Sequence, residues 1–224
     1  MNESILVIAP HADDETLGCG GTILKHKYKN DQIHYLLVTQ TEKGQIISGI
    51  KPNQRSEQVK KMIKFYDFDS FYKLGFIATK LDSTPLNNII EKINDVIKIV
   101  KPNIIYLPFP GDIHSDHSIV FKAAIACSKW FRSKSLHTIL AYETLSETNF
   151  SINPTAQSFK PNLYIDISDF IEGKIKACKI FNTEIQNHPF PRSIDSINAL
   201  SIIRGSESGF KSAEAFMLLK KIEN

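Results

Sequence analysis

Two short blocks hold most of the residues able to do chemistry. The first is Pro10-His11-Ala12-Asp13-Asp14-Glu15, with one imidazole and three carboxylates in five residues. Like charges this close repel, so a neighbouring cation is expected. The second is Gly111-Asp112-Ile113-His114-Ser115-Asp116-His117. Its histidines, at i and i+3, fall on one side of a turn or first helical turn. Imidazole and carboxylate are metal-ligand types. Each block alone also has a plainer reading. Acidic residues complement the dipole at a helix N-terminus, and a polar loop can carry incidental histidines. Together the blocks say more, because three of the seven histidines sit in them.

Both blocks follow short apolar runs that read as buried strands: Ser4–Ala9, stopped by Pro10, and Ile104–Leu107, closed by Pro108 and Pro110. Open parallel sheets bind ligands outside the carboxyl ends of their strands. A parallel sheet would therefore bring the two blocks together.

The remaining pattern supports such a sheet. Gly18–Lys29 reads as a helix, Ile33–Thr39 as a strand, residues 40–53 as a long polar loop and Gln54–Tyr66 as a helix. Phe71–Gly75 reads as a short strand. Pro85–Val100 repeats its apolar residues in steps of one and three, the stripe of a helix packed on a sheet. Ser83-Thr84-Pro85 offers it a capping hydroxyl and a proline at the first helical position. Further on, Ser118–Trp130 reads as a helix, Leu136–Tyr142 and Leu163–Ile167 as strands, and Ile171–Phe181, Ile194–Ile203 and Ala213–Lys220 as helices. Ser146–Lys160 is polar and rich in turn residues. Alternating strands and helices predict one α/β, Rossmann-like domain over residues 1–224. Its sheet is mainly parallel with helices on both faces, and the part from about residue 145 completes the substrate side.

Composition narrows the classes. The 224 residues are 42% apolar and 23% charged, ordinary globular usage. Net charge is +3, from 27 basic and 24 acidic residues, and the charges are interspersed. Nothing here demands a nucleic-acid partner. Cys19, Cys127 and Cys178 are odd in number and widely spaced, so reduced thiols in a cytoplasmic protein fit best. No apolar run approaches the roughly 18 residues of a membrane span. A cleaved leader of roughly 15–30 residues would remove the first block.

His11-Ala12-Asp13-Asp14-Glu15 resembles the HPDDE signature of the PIG-L/LmbE-like zinc N-deacetylases, and His114-Ser115-Asp116-His117 resembles their HxDH motif. Ala12 stands where proline is usual, which alters loop stiffness and no ligand. The Arg55 helix, Tyr164–Ser168, His188–Ser193, Arg204-Gly205 and Ala213–Phe216 are similar to later family blocks, so the resemblance spans nearly the whole chain. It implies zinc, or another divalent transition metal, held by His11, Asp14 and His117, with an open position for hydrolysis. Zinc lowers the pKa of water toward about 7. Asp13 would be the general base. His114, if protonated, would help stabilise the oxyanion and could supply the leaving amine with a proton. Asp116 would orient an imidazole, His114 foremost. The role of Glu15 stays open. Arg55, Arg192 and His188 are substrate-binding candidates, against the plainer readings of surface ion pairs and a solvated loop histidine.

The implied reaction removes an N-acetyl group from an N-acetylated amino sugar or sugar conjugate, a small-molecule substrate, and the family expectation allows a homo-oligomer. Two other readings compete. A related zinc amidohydrolase would cleave a thiol-sugar conjugate at the same metal site. A non-catalytic binder would be either a degenerate family member that holds a sugar, or a nucleotide or phosphate binder using Gly18-Cys19-Gly20-Gly21 loosely as a dinucleotide turn. The spacing is not GxGxxG, so these glycines read better as close helix–sheet packing or a tight turn.

Overall fold

A computed structural model describes residues 2–41, 52–152 and 158–223. The chain runs β1 (Ser4–Ala9), α1 (Asp14–Tyr28), β2 (Gln32–Gln40), α2 (Pro52–Tyr66), β3 (Ser70–Ile77), α3 (Leu86–Val100), β4 (Ile104–Pro108) and α4 (Ser115–Cys127). It continues through β5 (Thr138–Tyr142), β6 (Leu163–Asp166), α5 (Ile171–Ile180), α6 (Ile194–Ser206) and β7 (Ala213–Lys221). Most of the long loop expected over 40–53 lies outside the described residues, as does the middle of the Ser146–Lys160 stretch.

Seven strands form one sheet in the order β3-β2-β1-β4-β5-β7-β6. Strands β1 to β5 pair in parallel, and β7 runs antiparallel to both β5 and β6. The expected α/β sheet with helices on both faces is present. Strand side chains alternate between faces, and in β1 both faces are apolar. Ile5, Val7 and Ala9 join a core that includes Cys19, Met62 and Ala177, from α1, α2 and α5. Leu6 and Ile8 join one that includes Ile89, Ile93 and Val120, from α3 and α4. β1 and β4 are neighbours, and strand order reverses between them, so their carboxyl ends flank a topological switch point.

Three local expectations are corrected. Ala213–Lys220 is a strand, not a helix. Ala, Glu, Met, Leu and Lys are good helix formers, but Ala213–Phe216 is fully buried between β5 and β6, and pairing there overrides the local preference. The start of α3 also differs. Pro85 is its N-cap, at φ −54° and ψ 123°. Ser83 and Thr84 donate their hydroxyls backward to the Lys80 carbonyl, at 2.9 and 3.1 Å. Finally, α1 and α4 begin earlier than expected, so both chemical blocks run directly into first helical turns. Gly18, Gly20 and Gly21 consequently lie inside α1, which removes the turn a phosphate loop needs. A Cβ on Gly18 would sit 2.3 Å from the Tyr142 ring and one on Gly21 2.8 Å from Ile167, so close packing is their physical role.

Candidate active site

The turn from β1 into α1 is tight. Asp13 caps α1 with φ 124° and ψ −26°, a conformation that L residues rarely adopt and that costs on the order of 1–3 kcal/mol. Several hydrogen bonds hold it. The His11 N–H donates to Asp14 Oδ2 at 2.8 Å, and the Asp13 N–H donates to Glu15 Oε2 at 3.1 Å. Arg55 Nη1 donates to the Ala12 carbonyl at 3.2 Å. On the neighbouring strand, His114 caps α4, and its Nδ1 accepts the Asp116 N–H at 3.2 Å.

These two helix starts bring His11, Asp14 and His117 together, with one donor atom from each lying within 4.8 Å of the others. Asp14 Oδ2 is 3.3 Å from both His11 Nδ1 and His117 Nε2. The far nitrogen of each ring meets another carboxylate: His11 Nε2 lies 2.9 Å from Asp116 Oδ2, and His117 Nδ1 lies 2.7 Å from Asp112 Oδ2. Carboxylate–histidine pairs of this kind fix the tautomer that offers a lone pair to a metal. His117 Nε2 is buried and has no hydrogen-bond partner. A buried imidazole nitrogen without a hydrogen-bond partner, grouped with a carboxylate and a second imidazole, suits a cation. The donor set therefore fits a zinc-type ion.

His11, His114 and Asp116 form a second, overlapping group. Asp116 is already saturated there. Its Oδ2 accepts from Thr79 N–H at 2.8 Å as well as facing His11, and its Oδ1 accepts from Leu81 N–H at 3.3 Å. The expectation that the Asp116 carboxylate orients His114 foremost is corrected: its carboxylate pairs with the His11 ring, and the hydrogen bond to His114 comes from the Asp116 backbone N–H.

Electrostatics separate the roles further. Burial works to lower the His11 imidazole, but Asp116 and Asp14 outweigh it and hold it at about 9. For His117 burial is outweighed by Asp14 and Asp112, which raise it to about 10. Burial also opposes the Asp14 charge, yet His117 and His11 hold that carboxyl well below the usual range. A bound cation would displace protons from this cluster. Burial, with the His11 charge, lowers His114 to about 4. Near neutral pH its ring is thus uncharged. Since Nδ1 accepts, the proton sits on Nε2.

A cavity of about 690 Å³, within the range of small-molecule sites, opens over this cluster. His11, Asp13, Asp14 and His114 line it, and so do Arg55 and Arg192. Burial pushes the Asp13 carboxyl up to about 8 against the pull of Arg55, with smaller opposing effects from Asp14 and Arg192. Arg192 Nη1 lies 3.6 Å from Asp13 Oδ2, and its Nη2 lies 3.0 Å from Glu184 Oε2. Arg55 pairs closely with the other Glu184 oxygen. Both arginines are thus members of one ion-pair cluster that also faces the cavity. His188 is exposed and is not among the lining residues.

Two residues that meet the site carried no assignment from the sequence. Glu184 belongs to no motif and stands in the turns after α5, 129 residues from Arg55. Asp112 lies inside the second block, and its five-residue spacing from His117 was the available signal. Among the described residues no helix is long and apolar enough to cross a membrane.

Comparison with known proteins shows the family. A family model described as PIG-L, GlcNAc-PI de-N-acetylase, matches residues 6–128. The diacetylchitobiose deacetylase of Thermococcus kodakarensis is 25% identical over 232 residues, covering 98% of this chain and 84% of that protein. The probable N-acetyl-alpha-D-glucosaminyl L-malate deacetylase 2 of Bacillus subtilis is 28% identical over 133 residues, 56% of this chain and 60% of that one. Among solved structures, a conserved protein of Thermus thermophilus superposes with a TM-score of 0.78 at 24% identity, covering 99% of this chain and 97% of that one. This last likeness shows a shared fold.

Proposed function

The chain belongs to the PIG-L de-N-acetylase family, and from that premise we propose that it hydrolyses the acetamide of an N-acetylated amino sugar or sugar conjugate, releasing acetate and a free amine. The observation that carries this reading is Asp13. It is a buried carboxylate at the floor of an open cavity, adjacent in sequence to the metal-type ligand Asp14.

In this reading His11, Asp14 and His117 would hold zinc, which when bound would supply water activated near neutral pH and Lewis-acid polarisation of the acetamide carbonyl. Asp13 takes the water proton, and its raised affinity for protons suits a base working near neutrality. His114 donates its Nε2–H toward the oxygen that becomes negative. That is a neutral hydrogen bond, where the sequence left a protonated imidazole as a condition. Asp116 and Asp112 hold the His11 and His117 rings. Arg55, Arg192 and Glu184 present fixed donors and acceptors to sugar hydroxyls across the cavity.

The test is acetate release by the zinc-loaded protein from N-acetylglucosamine, diacetylchitobiose and an N-acetylglucosaminyl malate. Release from at least one, absent in Asp13→Ala, supports the reading. A folded, zinc-loaded protein that releases acetate from none of them overturns it.

A further inference from the structure

We propose that Glu15 is a positioning residue for Asp13, fixing the backbone of that carboxylate through a hydrogen bond rather than through charge. The inference rests on the reading of Asp13 as general base. An aspartate at a helix N-cap ordinarily spends its side chain on the N–H groups of the first turn. Asp13 makes no such bond, and its carboxylate turns to the cavity. Something else must hold the turn. The Asp13 N–H precedes the helix, is buried, and sits at a φ of 124°. It has no place in the helical ladder and needs an acceptor of its own.

Glu15 supplies that acceptor by reaching back two residues. This resembles the reciprocal half of a capping box, moved one position toward the N-terminus. Glu15 is itself locked. Tyr35 donates its hydroxyl to Oε2 at 3.0 Å, and Thr16 Oγ1 donates to Oε1 at 2.7 Å. Tyr66 in turn donates to Thr16 Oγ1 at 3.3 Å. The Tyr35 ring stacks with Phe68 and with Phe71. The chain Tyr66–Thr16–Glu15–Tyr35 is wholly buried, and Asp13, Thr16 and Tyr35 all donate to the glutamate. In Glu15→Gln the amide oxygen would serve Asp13 equally well, and the NH2 would face Thr16 Oγ1, a hydroxyl that can also accept.

The experiment compares Glu15→Gln and Glu15→Ala for kcat, KM, zinc per chain and hydrogen exchange of the Asp13 amide by NMR. Glu15→Gln should keep kcat within about threefold, whereas Glu15→Ala should lose at least about tenfold in kcat. KM and zinc content should hold in both. The Asp13 amide should exchange about tenfold faster in Glu15→Ala alone. If Glu15→Ala does not fold, Tyr35→Phe, which removes one donor aiming Oε2, should show the same kcat loss and faster exchange to a smaller degree. The proposal is overturned if Glu15→Gln is as impaired as the alanine variant, if zinc is lost, or if exchange at Asp13 does not change. Should the wild-type protein release no acetate, the deacetylase reading fails, and the exchange rates alone decide the role of Glu15.

Discussion

His117 and Asp112 are both buried, and Asp112 Oδ2 lies 2.7 Å from the ring nitrogen facing away from Asp14. Asp112 is held in turn by Thr148 Oγ1, which donates to its other oxygen at 2.6 Å. The carboxylate thus fixes which nitrogen of His117 is presented to the cluster. Asp112→Ala should weaken zinc affinity roughly 10- to 100-fold, as loss of such outer partners does. Competition with a chelating dye measures it, and an unchanged affinity would show that the ring is oriented by packing alone.

Metal binding and proton transfer should separate cleanly. Asp13→Ala should keep about one zinc per chain and lose 10²- to 10⁴-fold in rate. His11→Ala or Asp14→Ala should lose the metal. Elemental analysis beside acetate release distinguishes the two. An Asp13→Ala enzyme with more than about a tenth of the wild-type rate would remove Asp13 from the mechanism.

Glu184→Gln should cost both stability and turnover. Two guanidiniums, each about one-fifth exposed, share that carboxylate. Breaking a buried pair costs about 3–5 kcal/mol, and the partial exposure of the arginines places this case near the lower end. With Glu184 neutral, Asp13 loses the nearby negative charge that raises its proton affinity and keeps the pull of Arg192, which makes that carboxylate a weaker base. Urea unfolding should show a lower midpoint, and kcat should fall. A variant matching wild type in both would mean that the cluster is incidental.

Stability at high pH should report on Lys174. Its ammonium is buried and donates to Glu214 Oε1 and the Leu17 carbonyl, both at 2.7 Å. Burial works to lower its pKa, but Glu214 outweighs burial and raises it above the ordinary 10.5. A raised folded value means the contribution is complete below 10.5 and is lost as pH rises through the folded value. The urea midpoint should therefore hold through neutral pH and fall above 10.5. In Lys174→Arg, whose charge persists, the fall should be smaller. A midpoint that declines equally in both would assign the loss to other groups.

The candidate ligands were legible because each set is packed into a few residues next to a short apolar strand, and parallel topology leaves few places for such strand ends to go. What lay beyond one segment was not legible. Glu184 reaches Arg55 and Arg192 from a turn with no periodicity of its own. Asp116 and His114 are two residues apart in sequence, yet the Asp116 carboxylate turns across the switch point to His11, because α4 starts at Ser115 and sends consecutive side chains in different directions. Ala213–Lys220 has helix-forming composition, and only its neighbours β5 and β6 make it a strand. The α1 glycines were half legible: the need for close packing could be read, whereas the partners Tyr142 and Ile167 could not.

The placement of β7 has a consequence for how the protein is made. Among the described residues β6 pairs with β7 alone, and Glu214 on β7 accepts the N–H groups of Gly21 and Thr22, nearly two hundred residues upstream. During synthesis, residues 213–221 must leave the ribosome before either join can form. Until then, one edge of β5 stands open and Lys174 has no carboxylate to meet. Contacts of such sequence separation form slowly, and an unpaired strand edge invites association with other chains. The nascent chain therefore passes through a window of vulnerability that its final strand closes.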